Sequence, residues 1–156
     1  MSAWFTRITA SPADYTPVLD AYEHFEREYL IIVKELEVRG KLINDVSGRI
    51  PGLSEYVYAQ WAEIKAILAY LRLRLETVTQ KSRKYYIEAY DRKLAAPQVE
   101  HFAKSDKDVI ILAELIITLE LLLDRWEGVS RGVERLHHQL RLLGELRKGG
   151  IEDATI

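Results

Sequence analysis

Apolar residues recur at alternating steps of three and four along three parts of the chain, which is the spacing of one face of an α-helix. The apolar positions of the first part are Tyr15, Val18, Tyr22, Phe25, Tyr29, Ile32 and Leu36. Those of the second part are Val57, Trp61, Ile64, Leu68, Leu71, Leu75 and Val78. Those of the third part are Leu112, Leu115, Leu119, Leu122, Trp126, Val129, Val133, Leu136, Leu140 and Leu143. The pattern predicts three helices, each with one apolar face.

Capping and turn residues predict where the first two helices begin and end. The first should begin at Ser11–Pro12, since serine is a good N-cap and proline is tolerated in the first turn. It should end near Gly40, because glycine is favoured just after a helix. The second should begin at Ser54, after the turn-forming pair Pro51–Gly52, and should run to about Lys93.

The third helix is predicted from Ser105 to about Lys148. Ser105 with Asp108 three residues later resembles a capping box. Gly128 and Gly132 each cost about 1 kcal/mol inside a helix and could mark a turn. A turn would break the apolar spacing, and the spacing continues unbroken through both glycines. We therefore expect one long helix here.

These elements predict an all-α fold: a long-helix antiparallel coiled-coil hairpin with an additional N-terminal helix. The two long helices have similar lengths and are separated by a short connection at Ala95–Pro97, which favours antiparallel packing. Residues 1–52 would form the N-terminal helix and connector, residues 53–150 the hairpin, and residues 151–156 a disordered tail.

The start of the third helix is apolar on more than one side. Five apolar residues lie off the main face, and a slender hairpin would leave them exposed: Ile111, Ile116, Ile117, Leu121 and Leu123. Exposed apolar surface of this kind is typical of association sites. We expect a homo-oligomer, with closed cyclic symmetry as the common outcome. A thicker bundle within one chain is the alternative.

Composition and targeting signals are those of a folded cytoplasmic protein. The 156 residues are 48% hydrophobic and 29% charged, which suits one folded domain. Cysteine is absent, so disulfides and thiolate chemistry are excluded. The first ten residues lack a secretory signal pattern. The most apolar stretch, residues 109–126, contains four charged residues and is not predicted to cross a membrane.

No pattern of catalytic residues stands out, so we predict neither an enzyme nor a bound cofactor or metal. The chain has no glycine-rich phosphate loop and no nucleophile elbow. Glu134 and His137 form one Glu-x-x-His step, of which di-iron helical bundles use two. No second such step exists in the sequence. A di-iron enzyme is therefore the least favoured interpretation.

Charge is distributed unevenly along the chain. The net charge is −2, which does not suggest a nucleic-acid-binding protein. Residues 65–93, however, contain eight basic and three acidic residues, a net charge of +5. Cations interleaved with tyrosines are suited to single-stranded nucleic acid, because the cations pair with phosphates and the rings stack on bases. An exposed face without a ligand, or an acidic protein partner, would account for the same pattern. Tyr85 lies on the apolar face and is expected in the core.

Two motifs, one within residues 65–93 and one after them, resemble the UvsY recombination mediators of T-even phages. One is the Lys-x-Arg step before a Tyr-Tyr pair in Lys81–Tyr86, and the other is the Asp-Lys-Asp-Val helix start at Asp106–Val109. The similarity covers about Tyr56 to Lys148. The chain departs from the family where it continues Ile87–Tyr90 in place of a glycine-rich turn.

The resemblance implies an all-helical, ring-forming, non-enzymatic protein that binds single-stranded DNA in the host-cell cytoplasm. Such mediators help a UvsX-like recombinase to displace the single-stranded-DNA-binding protein during recombination and repair. The family's principal DNA contacts carry over to Lys81 and Arg83. Charge and helical register extend the predicted DNA-binding set to Arg72, Arg74, Lys84, Tyr86, Tyr90 and Lys93. A coiled-coil adaptor or scaffold that binds only proteins is the alternative.

Overall fold

The computed structural model describes residues 3–37, 43–90 and 93–150, and of Ile43 and Asn44 only the backbone. Five helices make up these residues: α1 (Ala3–Ala10), α2 (Thr16–Glu35), α3 (Ile43–Glu88), α4 (Ala96–Lys104) and α5 (Lys107–Lys148). The described ranges contain no strand, and the all-α prediction is confirmed. The predicted end at Gly40 and the tail 151–156 lie outside the described residues.

The first predicted helix, which corresponds to α2, begins later than expected. Ser11 does not cap α2: its carbonyl oxygen accepts the N–H of Asp14 at 3.0 Å, which forms a turn. The Asp14 carboxylate then accepts the N–H of Thr16 at 2.9 Å, where α2 begins, and Pro17 occupies its first turn. The aspartate therefore positions the start of α2, and the serine begins the turn that follows α1.

The second predicted helix, which corresponds to α3, begins before Pro51, not after it. α3 starts at Ile43 and contains Pro51 and Gly52, so the predicted start at Ser54 is wrong. Val46 and Ile50 are buried on the same face as Val57. The apolar spacing thus continues through the proline, and tertiary packing of these side chains outweighs the local preference for a turn.

The connection between the long helices contains a helix of its own. α4 occupies Ala96–Lys104, where a short connection was expected. The Gln98 side chain accepts the N–H of Ala95 at 3.0 Å, and Pro97 lies in the first turn. Val99 and Ala103, four residues apart, are the buried positions of α4. Two apolar positions are too few to form a recognisable pattern.

Asp106, not Ser105, caps α5. Its carboxylate accepts the N–H of Asp108 at 3.2 Å, and its other oxygen accepts the hydroxyl of Ser82 at 2.8 Å. Ser82 is the buried polar residue of the described core. The predicted capping box at Ser105 is therefore wrong, since the Ser105 hydroxyl donates to the carbonyl of His101 in α4.

α3 and α5 pack along each other in opposite directions. Arg72 of α3 contacts Glu120 of α5, whereas Ser82, further along α3, contacts Asp106 at the start of α5. The buried positions of α3 are Val46, Ile50, Val57, Ile64, Ile67, Leu68, Leu71 and Ser82. Those of α5 are Val109, Leu112, Ile116, Leu119, Leu122, Trp126, Val129, Val133, Leu136 and Leu140. The apolar face predicted for the third helix is confirmed, and Leu115 and Leu143 of that face are partly buried.

α1 and α2 pack against this helix pair. α2 buries Val18, Ala21, Phe25 and Ile32 and contacts α5 through an ion pair of Glu26 with Arg125 at 3.2 Å. The Tyr56 hydroxyl of α3 donates a hydrogen bond to Glu28 of α2. Burial and this hydrogen bond raise the pKa of Tyr56. α1 is held at its start by Glu63, which accepts the N–H of Trp4 at 3.1 Å.

The Asp106 cap gives a first prediction. Asp106→Ala removes a helix cap and leaves the buried Ser82 hydroxyl without its acceptor, so we expect the free energy of unfolding to fall by about 2–3 kcal/mol. Asp106→Asn keeps a capping oxygen and should cost about 1 kcal/mol or less. Urea unfolding at one protein concentration measures both variants. Ser105→Ala should change stability by no more than about 0.5 kcal/mol. A loss in Ser105→Ala equal to that in Asp106→Ala would contradict the assignment of the cap.

Candidate nucleic-acid interface

Six of the eight predicted DNA-binding residues, all but Arg72 and Arg74, lie where the end of α3, α4 and the start of α5 meet. We call this region, residues 79–90 and 93–108, the tip. The Ser82–Asp106 hydrogen bond joins α3 to α5 here, and buried Val99 and Ala103 hold α4 against them. The tip therefore extends the packed core and holds its exposed side chains on three connected helices.

The two residues of the Lys-x-Arg step lie on opposite flanks of α3. Residues two positions apart on an α-helix differ by about 200° in direction. Arg83 faces α4, while Lys81 lies on the other flank and is exposed. Lys84 lies between them on the outer surface of α3. A ligand that contacts all three side chains must cross this outer surface.

The arginines of the predicted set are engaged within the chain. Arg72 forms an ion pair with Glu120 at 2.6 Å, and Arg83 forms one with Glu100. Arg74 donates to the carbonyl oxygen of Pro12 at 3.3 Å, which ties α3 to the segment after α1. These contacts bind α3 to three different neighbours, so the arginines contribute less free positive charge than their number suggests.

The lysines are more accessible than the arginines. The Lys84 side chain is 72% exposed, against 34% for Arg83, and its ammonium group lies 3.8 Å from Glu88 one turn away. Such an exposed pair contributes little and is easily exchanged for another anion. Lys81 and Lys93 are also exposed, and Lys81 has no ion-pair partner in the ranges that the structure covers.

The tyrosines occupy different positions from those predicted. Tyr86 is half-buried and stacks on Phe102 of α4, with ring centroids 5.5 Å apart. Tyr90 lies against the same ring at 6.3 Å. Tyr85 was expected in the core, but it is 54% exposed and touches only the edge of Tyr86. The prediction for Tyr85 is wrong because α3 extends beyond α2 at the tip, where none of the described helices covers this flank.

Two aromatic residues of the tip escaped the sequence prediction. Phe102 stacks on Tyr86, and the ring of His101 contacts the edge of Phe102 at 6.0 Å. Both belong to α4, which the apolar spacing did not reveal. Their neighbourhood with basic residues, Lys104 among them, is the signal that could have identified them.

The predicted oligomerisation residues divide into two groups. Ile116 is only 7% exposed and belongs to the core, and Leu123 packs against that core, while Ile111 is partly buried. These three residues do not form an exposed surface, because the side of α5 that packs in the core is wider than the single apolar face that the spacing predicts. Ile117 and Leu121 are 58% and 60% exposed. Ile110 lies on the same outer face and is also exposed.

Away from the tip, the described chain offers a cleft but no cluster of metal ligands. The cleft, of about 910 Å³, lies between α2 and the start of α3, with Glu28 and Arg49 among its lining residues. No group of three histidine or acidic side chains in the described ranges is arranged to hold a metal ion. Glu134 and His137 are both exposed. None of the helices described combines the length and the apolar character that a membrane crossing requires.

Comparison with protein-family models, with curated proteins and with solved structures gave no match to this chain.

The aromatic arrangement gives a second prediction. Tyr86→Ala removes the ring that stacks on Phe102, so we expect the free energy of unfolding to fall by about 1–3 kcal/mol. Tyr85→Ala removes an exposed ring and should change it by no more than about 0.5 kcal/mol. Urea unfolding of the two variants compares neighbouring tyrosines directly. Equal losses would show that Tyr85 is as much a packing residue as Tyr86.

Proposed function

We propose that this protein is a non-enzymatic recombination mediator that binds single-stranded DNA on the outer surface of α3 at the tip. The observation that supports this most directly is the joint exposure of Lys81, Lys84 and Tyr85. Lys81 and Tyr85 are one helical turn apart, and Lys84 lies beside them. Two cations and one aromatic ring thus share a continuous surface.

This combination is chemically suited to a single strand without sequence preference. Lysine ammonium groups pair with phosphates and release counterions, which makes binding depend on salt. An exposed tyrosine ring can stack on any base, at about 1–3 kcal/mol per base. Tyr86 would support the ring of Tyr85 through the cluster with Phe102, whereas Tyr90, which is 40% exposed, stays in the proposed stacking set.

The role as a mediator comes from the resemblance to UvsY-like proteins at Lys81–Tyr86 and Asp106–Val109. In that role, a UvsX-like recombinase and a single-stranded-DNA-binding protein are the partners. The antiparallel packing of α3 and α5 supports the proposed coiled-coil hairpin. Of the two residues that the resemblance implies as DNA contacts, Lys81 is the more accessible in this fold.

A homo-oligomer, with a ring as its proposed form, belongs to the same proposal. Ile110, Ile117 and Leu121 place an apolar strip on the outer face of α5, opposite its buried face. One tip offers few phosphate contacts and would bind weakly by itself. Several tips in one assembly would bind one strand together and gain from effective concentration.

An adaptor that binds only proteins is the second candidate. It is favoured by the arginines already paired within the chain and by the exposed apolar side chains of α2, which are Leu19, Leu30, Ile31 and Val33. Such a protein would use helix faces for its partners and would have no affinity for DNA that depends on the tip lysines.

The third prediction concerns DNA binding. Fluorescence anisotropy with labelled oligo-dT should show binding that weakens steeply as salt increases. Lys81→Gln/Lys84→Gln should weaken it at least tenfold at low salt and reduce the slope of log K against log salt by about 1.4, or 0.7 for each phosphate that is no longer neutralised. Tyr85→Ala should weaken binding about tenfold with little change in slope.

The matched control removes the same charge away from the tip. Lys34→Gln/Lys148→Gln changes two exposed lysines of α2 and α5 and should leave binding within about twofold of wild type. Equal losses in both double variants would show a non-specific effect of net charge. Wild-type protein that does not bind oligo-dT would contradict the proposed function and favour the adaptor.

The fourth prediction concerns assembly. Light scattering should give a mass that is a multiple of the 18.1 kDa chain. Ile117→Asp/Leu121→Asp places charges on the outer face of α5 and should yield monomers with unchanged helical content. Leu73→Asp, at a similarly exposed position of α3, is the control and should leave the mass unchanged. A wild-type mass of one chain at all concentrations would contradict the proposed oligomer.

A further inference from the structure

Glu100 of α4 lies between two cations at the tip. One carboxylate oxygen pairs with the guanidinium group of Arg83 in α3, and the other lies 3.2 Å from the ammonium group of Lys104, one turn further along α4. Hydrogen bonds from Arg83 first and Lys104 second lower the pKa of Glu100, so the carboxylate is ionised at neutral pH. One anion thus occupies two cations that border the proposed DNA surface.

The position of α4 does not depend on this ion-pair cluster. Buried Val99 and Ala103 and the stacking of Phe102 on Tyr86 already hold α4 against the long helices. Glu100 itself is partly exposed, and ion pairs at such positions contribute little to stability. A structural role therefore does not account for a carboxylate at this place.

The hydrogen bonding of Arg83 is also incomplete. Its Nε is buried and has no acceptor among the described residues. Guanidinium groups bind phosphates best through two parallel hydrogen bonds, and Lys104 would add a second positive charge nearby. A backbone phosphate has two non-bridging oxygens, as a carboxylate does, so it can take the place of Glu100 between these two cations.

We propose that Glu100 is an internal competitor of DNA phosphate: it holds Arg83 and Lys104 in an ion-pair cluster that a bound strand must displace. This inference rests on the proposed function and concerns the regulation of the same tip. The exposed lysines and Tyr85 make the first contacts, and Arg83 joins them only when phosphate replaces the carboxylate. Glu100 thereby weakens binding and allows a strand to be released.

The experiment measures anisotropy of labelled oligo-dT with full-length protein across a salt series. Glu100→Gln removes the competing charge and keeps the side-chain shape. We expect binding at least fivefold tighter than wild type at low salt. The slope of log K against log salt should steepen by about 0.7 for each cation released, between about 0.7 and 1.4 in total.

The control is Glu76→Gln, which also removes one negative charge. Glu76 lies on the same flank of α3 as Arg83, seven residues before it and about 10 Å away. It should tighten binding by less than twofold. Arg83→Gln should abolish most of the gain, so Glu100→Gln should tighten binding less in the Arg83→Gln background, where only Lys104 is released, than in wild type. Thermal melting of each variant checks that α4 remains packed.

Several results would overturn the inference. Glu100 does not compete if Glu100→Gln binds oligo-dT no more tightly than wild type. The same conclusion follows if its gain in affinity is no larger than that of Glu76→Gln. A gain as large without Arg83 as with it would contradict the proposed displacement of Glu100 from Arg83. In these cases wild-type binding still supports the proposed function. Absence of binding by wild type and every variant would overturn both, whereas binding by Glu100→Gln alone would support the competitor.

Discussion

The packing of α3 against α5 is the constraint on which the other elements depend. Their buried side chains run from Val46 to Ser82 on one helix and from Val109 to Leu140 on the other. Because both helices are long, the shared core is a narrow strip, and α1 and α2 pack against it. The strip ends in the Ser82–Asp106 hydrogen bond, which fixes the relative position of the two helices at the tip.

This arrangement determines which charges of the tip remain accessible. α4 packs on one flank of α3 and brings Glu100 to Arg83, while α5 brings Glu120 to Arg72. Beyond the start of α2, none of the helices that the structure describes covers the opposite flank, so Lys81 and Tyr85 stay exposed. The same geometry that packs the aromatic rings of Tyr86 and Phe102 together leaves the ring of Tyr85 54% exposed. Because α4 packs on one flank of α3, the proposed DNA surface on the other flank stays exposed.

The sequence predicted the long helices because their apolar spacing repeats many times, and α5 follows it through Gly128 and Gly132. The same criterion, applied to Val46 and Ile50, extends α3 through Pro51, where the local turn signal alone favours a later start. α1 and α4 are too short for a repeating pattern. The partners of Arg72 and Arg83 are 48 and 17 residues away along the chain, and spacing contains no information about such contacts.

Net charge is consequently a poor measure of what the tip can bind. The segment of residues 65–93 has a charge of +5, yet each of its arginines in the described ranges already has a partner within the chain. Two exposed lysines of the tip differ from them: Lys84 lies 3.8 Å from Glu88, and Lys81 has no ion-pair partner among the described residues. Arginine holds a carboxylate through a planar, preorganised group, whereas lysine is a mobile point charge. The contrast along α3 agrees with this difference: the arginines pair with other parts of the chain, whereas Lys81 and Lys84 stay exposed.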